Sequence, residues 1–174
     1  MGNFFDAMDD FFDDMDESEE KRDASYDKFK AMCGGRLSVF VSGGAALDPQ
    51  TKRFLADCFG ASTIEGYGST ETGNIAVDGK ITRGTDVITL DVPEMNLYAT
   101  DKPFPRGECA VKTRTMFAGY FRDPERTKRA FTKDGYFRMG DIVELTSPST
   151  LRILGRRSHV IKLAQAVWVH PGTL

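Results

Sequence analysis

Apolar positions along the chain change texture twice. Near the start, Phe4, Met8, Phe11, Phe12 and Met15 recur at intervals of three and four with Asp between them, a spacing that predicts an amphipathic helix. Leu37-Ser38-Val39-Phe40-Val41 is a short apolar, β-branched run of the kind expected of a buried strand. After a Gly pair, Asp48-Pro49 reads as a helix cap followed by a first-turn proline. Phe54, Leu55, Cys58 and Phe59 give that helix one apolar face, and Gly60 stops it. Ser62-Thr63-Ile64 predicts the next strand, which leads into a Gly-rich loop from Gly66 to Gly73. From about residue 80 the pattern turns to short strands, Val87 to Leu90, Glu108 to Lys112, Ile142 to Leu145 and Leu151 to Leu154, which suggest a small antiparallel or barrel-like second lobe. One helix interrupts them at Asp123-Pro124, with Thr127, Ala130 and Phe131 as its inner face.

Composition narrows the class. The 174 residues carry 40% hydrophobic side chains and a net charge of −3, which suits a soluble globular domain or a compact piece of a larger one. The charge is uneven: residues 1–24 hold ten acidic and two basic side chains, leaving +5 on the rest. An acidic leader of residues 1–26 therefore precedes a mildly basic body, either as a partner-binding helix or as a solvated extension packed on its own domain. Neither a secretory signal nor a long uncharged apolar run is present, and no basic, aromatic-interleaved surface suggests nucleic acid. Cys33, Cys58 and Cys109 lack CxxC spacing, so the expectation is a cytoplasmic setting without disulfide framework or zinc cluster.

Common catalytic templates fail. His159 and His170 have no metal-ligand spacing, there is no GxSxG elbow, and Gly73 to Lys80 departs from a phosphate-binding P-loop in spacing and in Ile81. The segment Gly66-Tyr67-Gly68-Ser69-Thr70-Glu71 is more informative. Its glycines let backbone approach a ligand, Tyr67 offers a flat face, and Thr70 and Glu71 add a hydroxyl and a carboxylate. An aromatic beside a carboxylate suits a nucleotide with magnesium, although the same residue types also fill ordinary turns.

Four segments in one order settle the choice: Ser42-Gly43-Gly44-Ala45-Ala46-Leu47, then Gly66 to Glu71, then Tyr136-Phe137-Arg138-Met139-Gly140-Asp141, then Gly155-Arg156-Arg157 with Lys162. This order resembles the adenylate-forming superfamily. Pro105-Arg106-Gly107-Glu108, Met116 to Phe121 and Lys162-Leu163-Ala164-Gln165 resemble its fatty-acyl-CoA ligase and carboxylic acid reductase branch. The resemblance implies the C-terminal part of the family's large α/β domain: an α/β nucleotide-binding part over residues 27–80, a β-rich, barrel-like lobe over 81–154, and a hinge segment over 155–174. It also implies activation of a carboxylate, such as a fatty acid, by ATP to an acyl-adenylate, then transfer to CoA or a phosphopantetheine thiol. Position by position, Tyr67 would stack on adenine between Gly66 and Gly68, with Gly44 and Ala45 lining the wall towards the acyl group. Thr70 would contact phosphate, Glu71 would hold Mg2+, Asp141 would accept from the ribose hydroxyls, and Arg156 would contact ribose or phosphate.

The departures set the remaining expectations. No Ser/Thr/Gly-rich phosphate loop is found, Met139 stands where the family has Thr or Ser, Ala166-Val167 replace Gly-Glu, and Ser158 replaces the acidic or basic hinge residue. The chain reads as a large-domain fragment without the small domain, with little or no activity alone, to be completed by a complementing polypeptide. The alternative is a non-catalytic nucleotide-binding or protein-interaction module derived from such an enzyme.

Overall fold

The computed structural model describes residues 19–159, 161–162 and 168–169, with side chains described for 22–158. The leader stripe from Phe4 to Met15, the Ala166-Val167 pair and the side chains of His159, Lys162 and His170 lie outside the described residues. The chain divides into two compact units, Met1–Glu65 and Gly66–Leu174.

The first unit holds α1 (Glu19–Met32), β1 (Val39–Gly43), α2 (Pro49–Phe59) and the start of β2 (Ser62–Ser69). Helix α2 forms between the caps its sequence provides. Asp48 Oδ2 accepts from the Thr51 backbone N–H at 2.8 Å, and Gly60 closes the helix in the left-handed region with φ 61°. Its apolar face buries Phe54 and Cys58 against Phe29 of α1. The Phe29 and Phe54 rings meet edge to face at 5.4 Å, an orientation that their quadrupoles favour. Strand β1 differs from the buried strand expected, because Val41 is 76% exposed. It begins the strand order and so has one hydrogen-bonded neighbour.

The second unit contains β3 (Gly73–Val77), β4 (Lys80–Ile81), β5 (Asp86–Leu90), β6 (Arg106–Lys112), α3 (Pro124–Ala130), β7 (Phe137–Ser147) and β8 (Thr150–Arg156). The short pairs β9 (Ile161–Lys162) and β10 (Trp168–Val169) follow. The fold is mixed α/β, with an eight-stranded sheet in the order β1-β2-β3-β4-β8-β7-β6-β5. From β2 onward each pair is antiparallel. Of the antiparallel and barrel-like alternatives, the described strands take the antiparallel one, an open run that ends at β5, which pairs with β6 alone. After β5 the chain enters a tight 3-10 turn at Pro93–Met95, stapled by the Val92–Leu97 bridge, so no strand there closes the sheet.

Strand β6 has partners on both sides, and five consecutive residues, Gly107 to Val111, are buried. Cys109 and Val111 join Ile75, Phe137 and Val143 in one core cluster, with Tyr67, Phe117, Phe131 and Met139 packed against it. A smaller cluster of Val92, Met95, Leu97 and Ile142 supports the turn after β5. Helix α3 carries its expected cap, Asp123 Oδ1 accepting from the Arg126 N–H at 2.9 Å.

Candidate functional site

Two irregularities in the sheet of the second unit bring the site together. The segment Gly66 to Ser69, expected as a loop, is strand: β2 runs to Ser69, and only Thr70 to Thr72 turn before β3. The β2–β3 register passes from Tyr67↔Ala76 to Gly68↔Asn74, so Ile75 is an extra residue on β3. Gly68 permits this close crossing, because a Cβ there would stand 2.0 Å from the Gly73 carbonyl oxygen. The second irregularity lies in β7. Ala110 pairs with Arg138 and Glu108 with Ile142, so Met139, Gly140 and Asp141 bulge opposite Cys109. Gly140 adopts φ 72°, a conformation that costs an L side chain roughly 1–2 kcal/mol. Bulges re-aim side chains.

The result is a contact across 74 residues of sequence. The Tyr67 phenol donates to Asp141 Oδ2 at 2.8 Å, and Arg156 Nε stands 3.2 Å from Asp141 Oδ1. Asp141 is 5% exposed, a depth at which a carboxylate needs partners. Burial, with the nearby Cys109 and Asp141, pushes the Tyr67 phenol well above its ordinary value, so it remains a donor. Cys109 lies beneath, its thiol pushed up to about 12 chiefly by burial. Each carboxylate oxygen of Asp141 retains a second lone pair for a hydroxyl donor.

Glu71 stands in the turn between β2 and β3, which is pinned from several sides. Buried Thr72 accepts the Ser69 N–H through Oγ1 at 3.2 Å, and its carbonyl accepts from Thr113 Oγ1 at 3.2 Å and Thr115 Oγ1 at 2.7 Å. The Phe117 N–H donates to the Glu71 carbonyl at 2.8 Å. The Glu71 carboxylate accepts from the Tyr120 hydroxyl at 3.0 Å, and Arg126 lies 3.9 Å from the centre of that tyrosine ring. Burial opposes ionisation of Glu71. Its own backbone N–H, the Ser69 and Tyr120 hydroxyls and Arg126 outweigh this and hold the carboxyl below the usual range.

Gly66, Tyr67, Gly68, Glu71, Asp141 and Arg156 thus all belong to the second unit, where Tyr67, Asp141 and Arg156 touch while Glu71 contacts Tyr120, and Thr70 is exposed at the tip of the turn. Gly44 and Ala45 belong to the first unit, exposed in the bend after β1, where Gly44 has φ 87°. No group of three or more His, Cys, Asp or Glu gathers among the described residues. Magnesium commonly uses one or two carboxylates together with substrate phosphates, so a lone ionised Glu71 fits that ion. Sequence reasoning missed Tyr120, Thr72 and Thr115. Tyr120 stood in a family-like segment and Thr72 in the Gly-rich one, but nothing in the spacing of Tyr120 from Glu71, or of Thr115 from Thr72, announces a contact.

The mixed α/β fold with its eight-stranded sheet is that of part of an adenylation domain. Comparison with known proteins agrees: the family model described as AMP-binding enzyme matches residues 3–121, and the chain belongs to that family. It is 37% identical over 155 residues to fatty acyl-CoA synthetase A of Dictyostelium discoideum, covering 83% of this chain and 23% of that protein. It is 39% identical over 142 residues to carboxylic acid reductase of Mycobacterium tuberculosis, covering 78% of this chain and 12% of that protein. Among solved structures, the adenylation domain of a carboxylate reductase from Mycobacterium chelonae superimposes with a TM-score of 0.83 at 36% identity, over 90% of this chain and 25% of that one. The A domain of carboxylic acid reductase from Segniliparus rugosus, solved with AMP and a co-purified carboxylic acid, gives 0.80 at 33% identity, over 88% and 25%. The chain therefore spans about a quarter or less of these relatives.

Proposed function

We propose that this chain supplies the nucleoside side of a carboxylate-activating site that takes ATP and a carboxylic acid, such as a fatty acid, to an acyl-adenylate. CoA or a phosphopantetheine thiol then accepts the acyl group. The observation that carries this reading is the buried Asp141 carboxylate, shared by Tyr67 and Arg156. A carboxylate with spare lone pairs is an acceptor suited to a vicinal diol, which supports reading it as the partner of the ribose hydroxyls. The Tyr67 ring, flanked by Gly66 and Gly68, would face adenine. Gly44 and Ala45 would form the wall towards the acyl group, and Thr70 would meet the phosphates.

Glu71 would hold Mg2+ through its carboxylate, with Tyr120 fixing the orientation of that group. The ion supplies charge neutralisation at the phosphates. The chain's own part is binding and alignment: two anions must be brought together and charge developing at the phosphate stabilised, and prepositioned cations and donors lower both costs. Arg156 supplies one such cation at the ribose or phosphate. Completion by a second polypeptide carrying further catalytic groups belongs to the same proposal. No helix among the described residues is long and apolar enough to cross a membrane, and three free cysteines suit a cytoplasmic setting.

The test is calorimetric titration of the full chain with AMP and with magnesium ATP. Wild type is expected to bind AMP, with affinity falling about tenfold or more in Asp141→Ala and Tyr67→Ala and less in Tyr67→Phe, which keeps the ring. Folded wild-type protein that binds neither nucleotide would sink the proposal.

A further inference from the structure

We infer that Glu94, Arg157, Glu108 and Arg138 form a clamp that sets Arg156 on Asp141, which makes Arg157 a positioning residue for the nucleoside pocket; this rests on the reading of Asp141 given above. Glu108, in β6, is 4% exposed, and a carboxylate at that depth requires charged partners. Its Oε2 accepts from Arg138 Nη1 of β7 at 3.1 Å and from Arg157 Nη1 at 2.8 Å. The other terminal nitrogen of Arg157 reaches Glu94 in the turn Pro93–Met95. One guanidinium thus ties a buried carboxylate of the sheet to an acid in the turn that follows β5.

The place of Arg157 in the chain gives this arrangement its consequence. Strand β8 ends at Arg156, whose cross-strand partner is Asp141, and Arg157 opens the turn Arg157–His159 that follows. Strand β4 pairs with β8 at Thr150, so among the described strands β8 has its neighbour at Arg156 on the β7 side. The Arg156 side chain is 61% exposed and meets Asp141 at 3.2 Å, a geometry that holds weakly unless the backbone beneath it is fixed. Arg157 fixes it one residue away. Arg156 grips the acid of the pocket while its neighbour grips the acid of the adjoining strand.

Two readouts on the full chain test this. The first is the nitrogen-edited NMR resonance of the Arg156 Nε–H, which reports its contact with Asp141 without any ligand. Arg157→Ala is expected to move it towards its position in Asp141→Ala, and Arg157→Lys to restore it in part. Arg138 continues to satisfy Glu108 in these variants. Should Arg157→Ala nevertheless fail to fold, Glu94→Gln, which removes only the outer half of the clamp, is expected to move the resonance in the same direction by less. An unmoved resonance in the folded variant overturns the clamp. The second readout is AMP affinity in a double-mutant cycle. Arg157→Ala should weaken binding about fivefold or more, and the Arg156→Ala/Arg157→Ala double variant should bind no more weakly than Arg156→Ala alone. Additive losses would show that Arg157 acts independently and overturn the inference. A shifted resonance in a chain whose wild type does not bind AMP supports the clamp and removes the nucleoside reading instead.

Discussion

At the scale of single residues, the site is a set of groups whose ionisation states are chosen by their surroundings. Tyr67 is kept a phenol and Glu71 is kept a carboxylate, so one donates and the other accepts. The direction of the Glu71 shift predicts a pH dependence. Its folded-state value lies below the unfolded one, so its contribution to stability is present above the ordinary carboxylate value and is lost as pH falls through the lowered folded value. Glu71→Gln is therefore expected to be less stable than wild type in urea titrations at pH 7, with the difference narrowing at a pH below the ordinary carboxylate range. Equal differences at both pH values would place the effect of Glu71 in packing rather than in charge.

At the scale of elements, two bulges matter more than any helix. Tyr67 and Asp141 stand on strands that are not hydrogen-bonded neighbours in the sheet, and each strand departs from regular pairing beside the residue in question. The two glycines that allow this make unequal demands. A Cβ at Gly68 would collide with the Gly73 backbone, whereas one at Gly140 meets open space and suffers only from φ 72°. Gly68→Ala is accordingly expected to cost at least about 2 kcal/mol and to loosen AMP binding, while Gly140→Ala costs about 1–2 kcal/mol. Chemical denaturation gives the two numbers, and a reversed order would show that the β2–β3 hairpin yields more easily than its backbone contact implies.

At the scale of the whole chain, the cores differ in weight. In the first unit three buried side chains, Phe29, Phe54 and Cys58, hold α1 to α2, while β6 and β7 each have strands on both sides. Hydrogen exchange is expected to be slowest in β6 and β7 and faster in α1 and α2, because local opening follows buried apolar contact. Phe54→Ala should remove about 3–5 kcal/mol of stability and raise exchange in both helices. Unchanged exchange in α1 would show that Phe54 is not what anchors it.

Much of this was written locally. Asp48 and Asp123 encode helix starts through carboxylates that bond backbone three residues away, and Gly60 encodes a stop through its left-handed backbone, so their message survives outside the fold. The short runs Glu108 to Lys112 and Ile142 to Leu145 likewise marked strands, because apolar and β-branched residues bounded by turn residues favour extended backbone, and both segments are buried almost without interruption. Order and identity of motifs pointed to the family and to Tyr67, Glu71 and Asp141 as candidates. The tertiary structure alone decided that Gly66 to Ser69 is strand, that Val41 is exposed, and that the β-rich part is an open sheet among the described residues. It alone joined Tyr67 to Asp141, Glu71 to Tyr120 and Glu108 to Arg157. Those contacts join residues 49 to 74 positions apart, and they depend on register and bulge placement. Register is set by how whole strands pack against one another, which no window of neighbouring residues contains.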